Sequence, residues 1–210
     1  MVEHTRANVR GAEAMQSAGL EYNIVIAGVG GQGVLTLARV IGEAALINGF
    51  NALVAETHGL SQRGGAVVVH VRLGDVESPL VPLGGADLIL GLELLEVLRN
   101  ISYVRRDGCV VADKLIIPPS IPGVKAPSLD DVMRALLSLD VRVTVVPASE
   151  VAEKLGDVRV ANMYLLGYAL SKTGLGGFIS FDSVVKASRT LPNSELNLRA
   201  LKLGYGSGGS

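Results

Sequence analysis

A single cysteine, Cys109, in 210 residues excludes an internal disulfide. It equally excludes an all-cysteine iron–sulfur site held by this chain, since each cluster takes about four thiolates. An excess of charge of either sign is also missing. Nineteen Lys and Arg stand against 20 Asp and Glu, a net charge of -1, which removes the electrostatic basis for gripping nucleic acid or an acidic membrane. Apolar runs of bilayer length are absent as well: LGGADLILGLELLEVL is broken by Asp87, Glu93 and Glu96, short of the roughly 20 residues a spanning helix takes. The first twenty residues contain no continuous apolar stretch of the roughly 7–15 residues that a secretory signal needs, so a soluble, cytoplasmic protein is expected. Glutamine occurs only at Gln16, Gln32 and Gln62, a depletion of amides that matches heat-adapted proteins. What is present is 49% hydrophobic and 19% charged, and a chain this long buries roughly 70% of its unfolded surface in a single core.

From Tyr22 onward, short β-branched runs alternate with stretches of helical periodicity, the pattern of a parallel sheet covered by helices. YNIVIAGV reads as a first buried strand. VLTLARVIGEAALING reads as a helix with Leu35, Ala38, Ile41 and Ala45 at helical spacing and a stop at Asn48-Gly49. NALVAE and AVVVHVRLG follow as strands, with SPLVP expected as a short edge piece because Pro79 and Pro82 donate no ladder hydrogen bonds. ADLILGLE, ELLEVLRN and GCVVAD form a strand–helix–strand unit. IIPPSIPGVKAP is a loop able to bend around a neighbour, and SLDDVMRALLSL is a helix capped by Ser128. VRVTVVPA is the last strand. VRVANMYLLGYALSKTG, FDSVVKASRT and PNSELNLRALKLGY are helices, and no internal repeat is visible. The fold expected is α/β and Rossmann-like: a single domain over residues 21–204, with a mostly parallel sheet and helices on both faces. Residues 1–20 are a flexible extension and 205–210 a flexible tail. Glu93, Glu96, Arg105 and Arg106 read as solvated or interface charges, Met133, Met163, Tyr164 and Tyr168 as packing residues, and His70 as structural.

GVGGQG lies between a strand and a helix, and its Gly28, Gly30 and Gly33 satisfy the GxGxxG spacing. Glycine there permits a tight turn and close backbone approach, while the helix that follows offers free N–H groups to an anion such as a diphosphate. A turn that merely packs strand on helix satisfies the same spacing. For a nicotinamide cofactor an acid should grip the ribose about 20 residues after the fingerprint. Glu56 ends its strand 28 positions after Gly28, and no second domain is evident, so a self-contained NAD-dependent dehydrogenase is the less favoured reading.

Directly after Glu56 comes THGLSQRGG, where His58, Gln62 and Arg63 precede Gly64 and Gly65. Arg holds carboxylates or phosphates in pairs of hydrogen bonds, His titrates near neutrality, and Gln both donates and accepts. Capping of local backbone, or an Arg63–Glu56 ion pair, are the alternatives. GVGGQG followed by AETHGLSQRGGAVVVHVRLG and SPLVPLGGADLILGLELLEVLR, together with the C-terminal helices including Asn162, resembles the gamma-type domain of 2-oxoacid:ferredoxin oxidoreductases. The HGLSQRGG form is most similar to the indolepyruvate, or arylpyruvate, branch rather than to the pyruvate or 2-oxoglutarate branches.

The resemblance implies an enzyme complex that decarboxylates a 2-oxoacid on thiamine diphosphate, passes electrons through iron–sulfur clusters to ferredoxin, and releases an acyl-CoA. It places thiamine diphosphate, magnesium and the 4Fe–4S clusters in a large partner subunit. The lone Cys109 and the lack of a GDG-plus-asparagine thiamine pattern agree, leaving this chain catalytically incomplete alone. Within it, Gly28, Gly30, Gly31, Gln32 and Gly33 are expected to cradle the phosphates of coenzyme A. Glu56, His58, Gln62, Arg63, Gly64 and Gly65 are expected at the active-site mouth or subunit interface. No residue is assigned a catalytic or metal-binding role. The competing expectation is a structural lid whose loops touch only the large subunit, and an isolated chain is free to form a homodimer.

Overall fold

The computed structural model describes residues 19–58, 65–118 and 127–207. Its centre is a six-stranded sheet of order β2-β3-β1-β4-β5-β6. The strands are β1 (Glu21–Val29), β2 (Ala52–His58), β3 (Ala66–Gly74), β4 (Ala86–Gly91), β5 (Val104–Asp113) and β6 (Arg142–Val146). β1, β4, β5 and β6 pair in parallel, while β3 runs antiparallel to both of its neighbours, β1 and β2. The sheet is therefore mostly parallel, as expected, with one reversed strand set inside it.

Alternation along each strand divides the side chains between two helical layers. Ile24, Ile26, Leu88, Leu90 and Val111 point to the layer made by α1 (Val34–Ile47), α4 (Ala148–Leu155), α5 (Ala161–Lys172), α6 (Phe181–Ser188) and α7 (Ser194–Ser207). Val25, Ile89, Val110 and Ala112 point the other way, to α2 (Leu94–Asn100) and α3 (Leu129–Leu137). Burial on both faces explains why β1 and β4 are nearly unbroken apolar runs. Ser128 Oγ accepts the Asp131 N–H at 3.2 Å and starts α3, and Gly49, at φ 86°, follows the end of α1.

Several local expectations are corrected. Leu35 is 47% exposed, and Leu37 takes the core position beside Ala38, Ile41 and Ala45. SPLVP forms no strand; it crosses the outer face with the Val81 N–H donating to His70 Nδ1 at 3.2 Å. That bond, with Tyr103 edge-on at 5.1 Å, makes His70 a core residue as read. Glu93 and Glu96 are buried rather than solvated. Glu93, 1% exposed, caps α2 by accepting the Glu96 N–H at 2.7 Å and also accepts the Ile117 N–H at 3.1 Å. Burial pushes its carboxyl pKa up, partly offset by those N–H donors. α4 is an element the sequence reading lacked, and α7 continues through Gly206 to Ser207.

Candidate functional site

The carboxyl ends of β1 and β4 lie side by side, and the chain leaves them in opposite directions, toward β2 and toward β5. Open α/β sheets bind ligands at such a crevice. Here Gln32 bridges it. Its Oε1 accepts the Val29 N–H and its Nε2 donates to Leu92 O, each at 2.7 Å, while the Leu92 N–H donates to Ala27 O at 2.8 Å. Both limbs of the Gln32 amide are thus taken up within the fold. A Cβ on Gly28 would lie 2.9 Å from Gln32 Oε1 and 3.1 Å from Leu92 Cβ, so the strap lies tight on the strand.

The two glycine loops meet: the Gly30 N–H donates to Gly65 O at 3.0 Å. β3 separates β2 from β1, so Glu56 and the backbone of His58 stand two strand spacings, about 10 Å, from β1 at the same end of the sheet. Glu56 is half-buried opposite Val69. Gln62, Arg63 and Gly64, the His58 side chain, most of the N-terminal extension and the centre of the proline-rich loop lie outside the described residues.

Gly31 and Gly33 face a different space, a cleft of about 230 Å³ between the start of α1, the 157–162 segment and the turn before α7. Gly33 is the N-cap of α1, with no side-chain cap and no acidic residue in the first turn, so the helix presents unsatisfied N–H groups and partial positive charge there. Across the cleft, Asp157 accepts from Arg159 Nε at 2.9 Å and from Nη2 at 2.7 Å. The Arg159 hydrogen bonds hold the Asp157 carboxyl down at about 2. Between them Asn162, at the start of α5, donates from Nδ2 to Gly33 O at 3.3 Å, while its buried Oδ1 has no partner. The cleft thus offers N–H donors, amides, the Thr36 hydroxyl and a fixed guanidinium: groups that bind an oxyanion-bearing ligand rather than make or break bonds.

A phosphorylated cofactor fits these residues, given the uncapped helix and glycines that leave the backbone bare. A metal cluster does not fit. Cys109 sits half-buried in β5 with Sγ 3.7 Å from Asp87 O, its thiol pKa raised by burial, and among the described residues no three His, Cys, Asp or Glu gather. Asp157 and Arg159 were not singled out from the sequence. The signal available was the polar DVRVAN at a helix start.

Fold and cleft together define a Rossmann-like α/β domain whose glycine turn and uncapped helix form one wall of a cleft. The family model described as pyruvate ferredoxin/flavodoxin oxidoreductase matches residues 23–207, and the chain belongs to that family. It is 41% identical over 190 residues to indolepyruvate oxidoreductase subunit IorB of Archaeoglobus fulgidus, covering 89% of this chain and 94% of that protein. Against the 2-oxoglutarate synthase subunit KorC of Methanothermobacter thermautotrophicus the identity is 30%, over 86% of this chain and 92% of the other. Among solved structures, the keto/oxoacid ferredoxin oxidoreductase gamma subunit of Geobacter sulfurreducens superposes with a TM-score of 0.66 at 23% identity, covering 89% of this chain and 98% of that one. Among the described residues no helix is long and apolar enough to cross a membrane.

Proposed function

We propose that this chain is the small subunit of an indolepyruvate-type 2-oxoacid:ferredoxin oxidoreductase that works in the cytoplasm with a large subunit. The observation that carries the reading is the 41% identity to an indolepyruvate oxidoreductase subunit across nearly the whole of both chains, against 30% to a 2-oxoglutarate synthase subunit. The large subunit holds thiamine diphosphate and the iron–sulfur clusters, which supply decarboxylation and electron transfer to ferredoxin. This chain's own contribution is to bind and to shape. Gly31, Gly33 and the first-turn N–H groups of α1 take phosphates of coenzyme A, and the Gln32 strap and the Gly30–Gly65 bond hold both glycine loops in place. The 59–65 segment, with Gln62 and Arg63, faces the active-site mouth or the partner.

The reversed β3 weighs against the dehydrogenase alternative, because it sets Glu56 two strands away from the β1 glycine turn instead of on the neighbouring strand. Purification from native extract tests the assignment. A brown complex with a larger, cysteine-rich chain, oxidising indolepyruvate in a coenzyme A-dependent reaction, is expected. Arylpyruvate-dependent reduction of an electron acceptor by this chain alone overturns it. Calorimetric titration separates the cofactors: heat from NAD with none from coenzyme A restores the dehydrogenase reading, and heat from neither favours the lid.

A further inference from the structure

Sheet edges are rarely left bare, because an open row of N–H and C=O groups invites another strand. β2 ends one side of the sheet, and among the described residues no strand lies beyond it. Asn51 O accepts the Gly74 N–H at 2.9 Å. By alternation Leu53, Ala55 and Thr57 turn their backbone groups to β3, while Ala52, Val54 and Glu56 turn theirs outward. The strand reads ALVAETH and pairs with β3 without a break in register, so it lacks the prolines, basic side chains and kinks that commonly guard an edge. Val54, in its middle, is 45% exposed.

α1 continues the same face. A Cβ on Gly42 would lie 3.7 Å from Val54 Cγ2 and 3.8 Å from Ala52 Cβ, so the helix rests on this edge strand. At about 100° per residue, Leu35, Arg39 and Leu46 fall within about 60° of Gly42, on the side turned away from the core residues Ala38, Ile41 and Ala45. Leu35 and Leu46 are 47% and 61% exposed, and between them Arg39 pairs with Glu43 at 3.5 Å.

We propose that β2 and this stripe of α1 form a self-complementary surface on which a second copy of the chain docks about a two-fold axis through Val54. The two β2 strands pair antiparallel there, and the sheet runs on across the axis. Val54 opposes its own copy, Leu53 opposes Ala55 and Glu56 opposes Ala52, so no like charges meet. The α1 helices lie antiparallel, which sets the Leu35 end of one beside the Leu46 end of the other. Gly42 rests on Val54, so Arg39 and Glu43 stand on either side of the axis and each Arg39 approaches the Glu43 of the other copy. Matching charges and apolar ends thus select a second copy as the occupant. This pairing is a property of the chain itself and does not depend on the substrate reading above.

Sedimentation of the full chain at about 50 μM is expected to give twice the chain mass of 21.8 kDa. Val54→Lys sets two ammonium groups on the axis and is expected to give the single-chain mass with an unchanged circular dichroism spectrum. Arg39→Glu is expected to raise the dimer dissociation constant about tenfold, and adding Glu43→Arg to restore it. Under mild oxidation Val54→Cys is expected to join the two copies, because paired Cα atoms there lie about 5.5 Å apart. Thr57→Cys, roughly 20 Å from its own copy, is expected to stay reduced. A single-chain mass for the wild type overturns the docking surface. So does a dimer that survives Val54→Lys, or one that crosslinks as readily through Thr57→Cys as through Val54→Cys. If Val54→Lys leaves the mass of the isolated chain unchanged but abolishes capture of the large subunit, the edge belongs to that partner and self-docking is overturned.

Discussion

Gly33 has φ 80°, and a Cβ built there falls 2.5 Å from Asn162 Nδ2. Any side chain thus meets a left-handed backbone and an occupied neighbour together. Gly33→Ala is expected to cost about 1–3 kcal/mol in urea unfolding and to displace Asn162, with an accompanying loss of ligand binding in the cleft. Gly31 also has positive φ, but a Cβ there meets nothing within 4 Å, so Gly31→Ala carries only the backbone strain and should be the milder variant. Glycine spacing revealed this turn from the sequence, but Asn162 stands 129 positions from Gly33. No local pattern ties the two together, and Arg159 likewise joins the site only through the packing of α5 beside α1.

At the level of elements, α5 and α7 touch through glycines. A Cβ on Gly167 would run into Leu201 O, and one on Gly204 into Tyr164 O. Backbone lies on backbone there, and neither side can yield by rotating a side chain. Gly167→Ala is expected to push α7 off α5, costing about 1–3 kcal/mol and lowering Tm by roughly 3–10 °C in a thermal melt. Strands β1 and β4 were legible because burial on both faces makes their sequences continuously apolar. The direction of β3 was not, since a strand reads the same whichever way it runs. α4 escaped notice because ASEVAEKL is short and polar. Its first turn is completed by Asp113, which accepts the Ser149 N–H at 3.0 Å and the Ser149 hydroxyl, a tertiary cap from the end of β5. Glu93 misled for the same reason, since the Ile117 N–H reaches it from another segment, whereas Glu96 is buried with its carboxylate on the exposed Arg99 guanidinium.

For the molecule as a whole, burial lowers the pKa of His70 from its ordinary 6.5. The unfolded chain therefore binds a proton that the folded one refuses, so stability is complete above pH 6.5 and falls as pH drops through and below that value. Urea midpoints at pH 7.5 and 5.5 should decline for the wild type and decline less for His70→Gln, which cannot titrate. Equal declines would remove His70 as the cause.

The reversed strand has one evolutionary consequence. Because β2 and β3 are consecutive strands that pair antiparallel, with Glu56 opposite Val69, the link from His58 to Ala66 begins and ends at one end of the sheet. A change of length there that keeps Gly65, and with it the Gly30 N–H bond to Gly65 O, need not disturb either helical layer or the Gly28–Gly33 turn. A lineage can therefore remodel that one end of the sheet while inheriting the cleft between α1 and α5 unchanged.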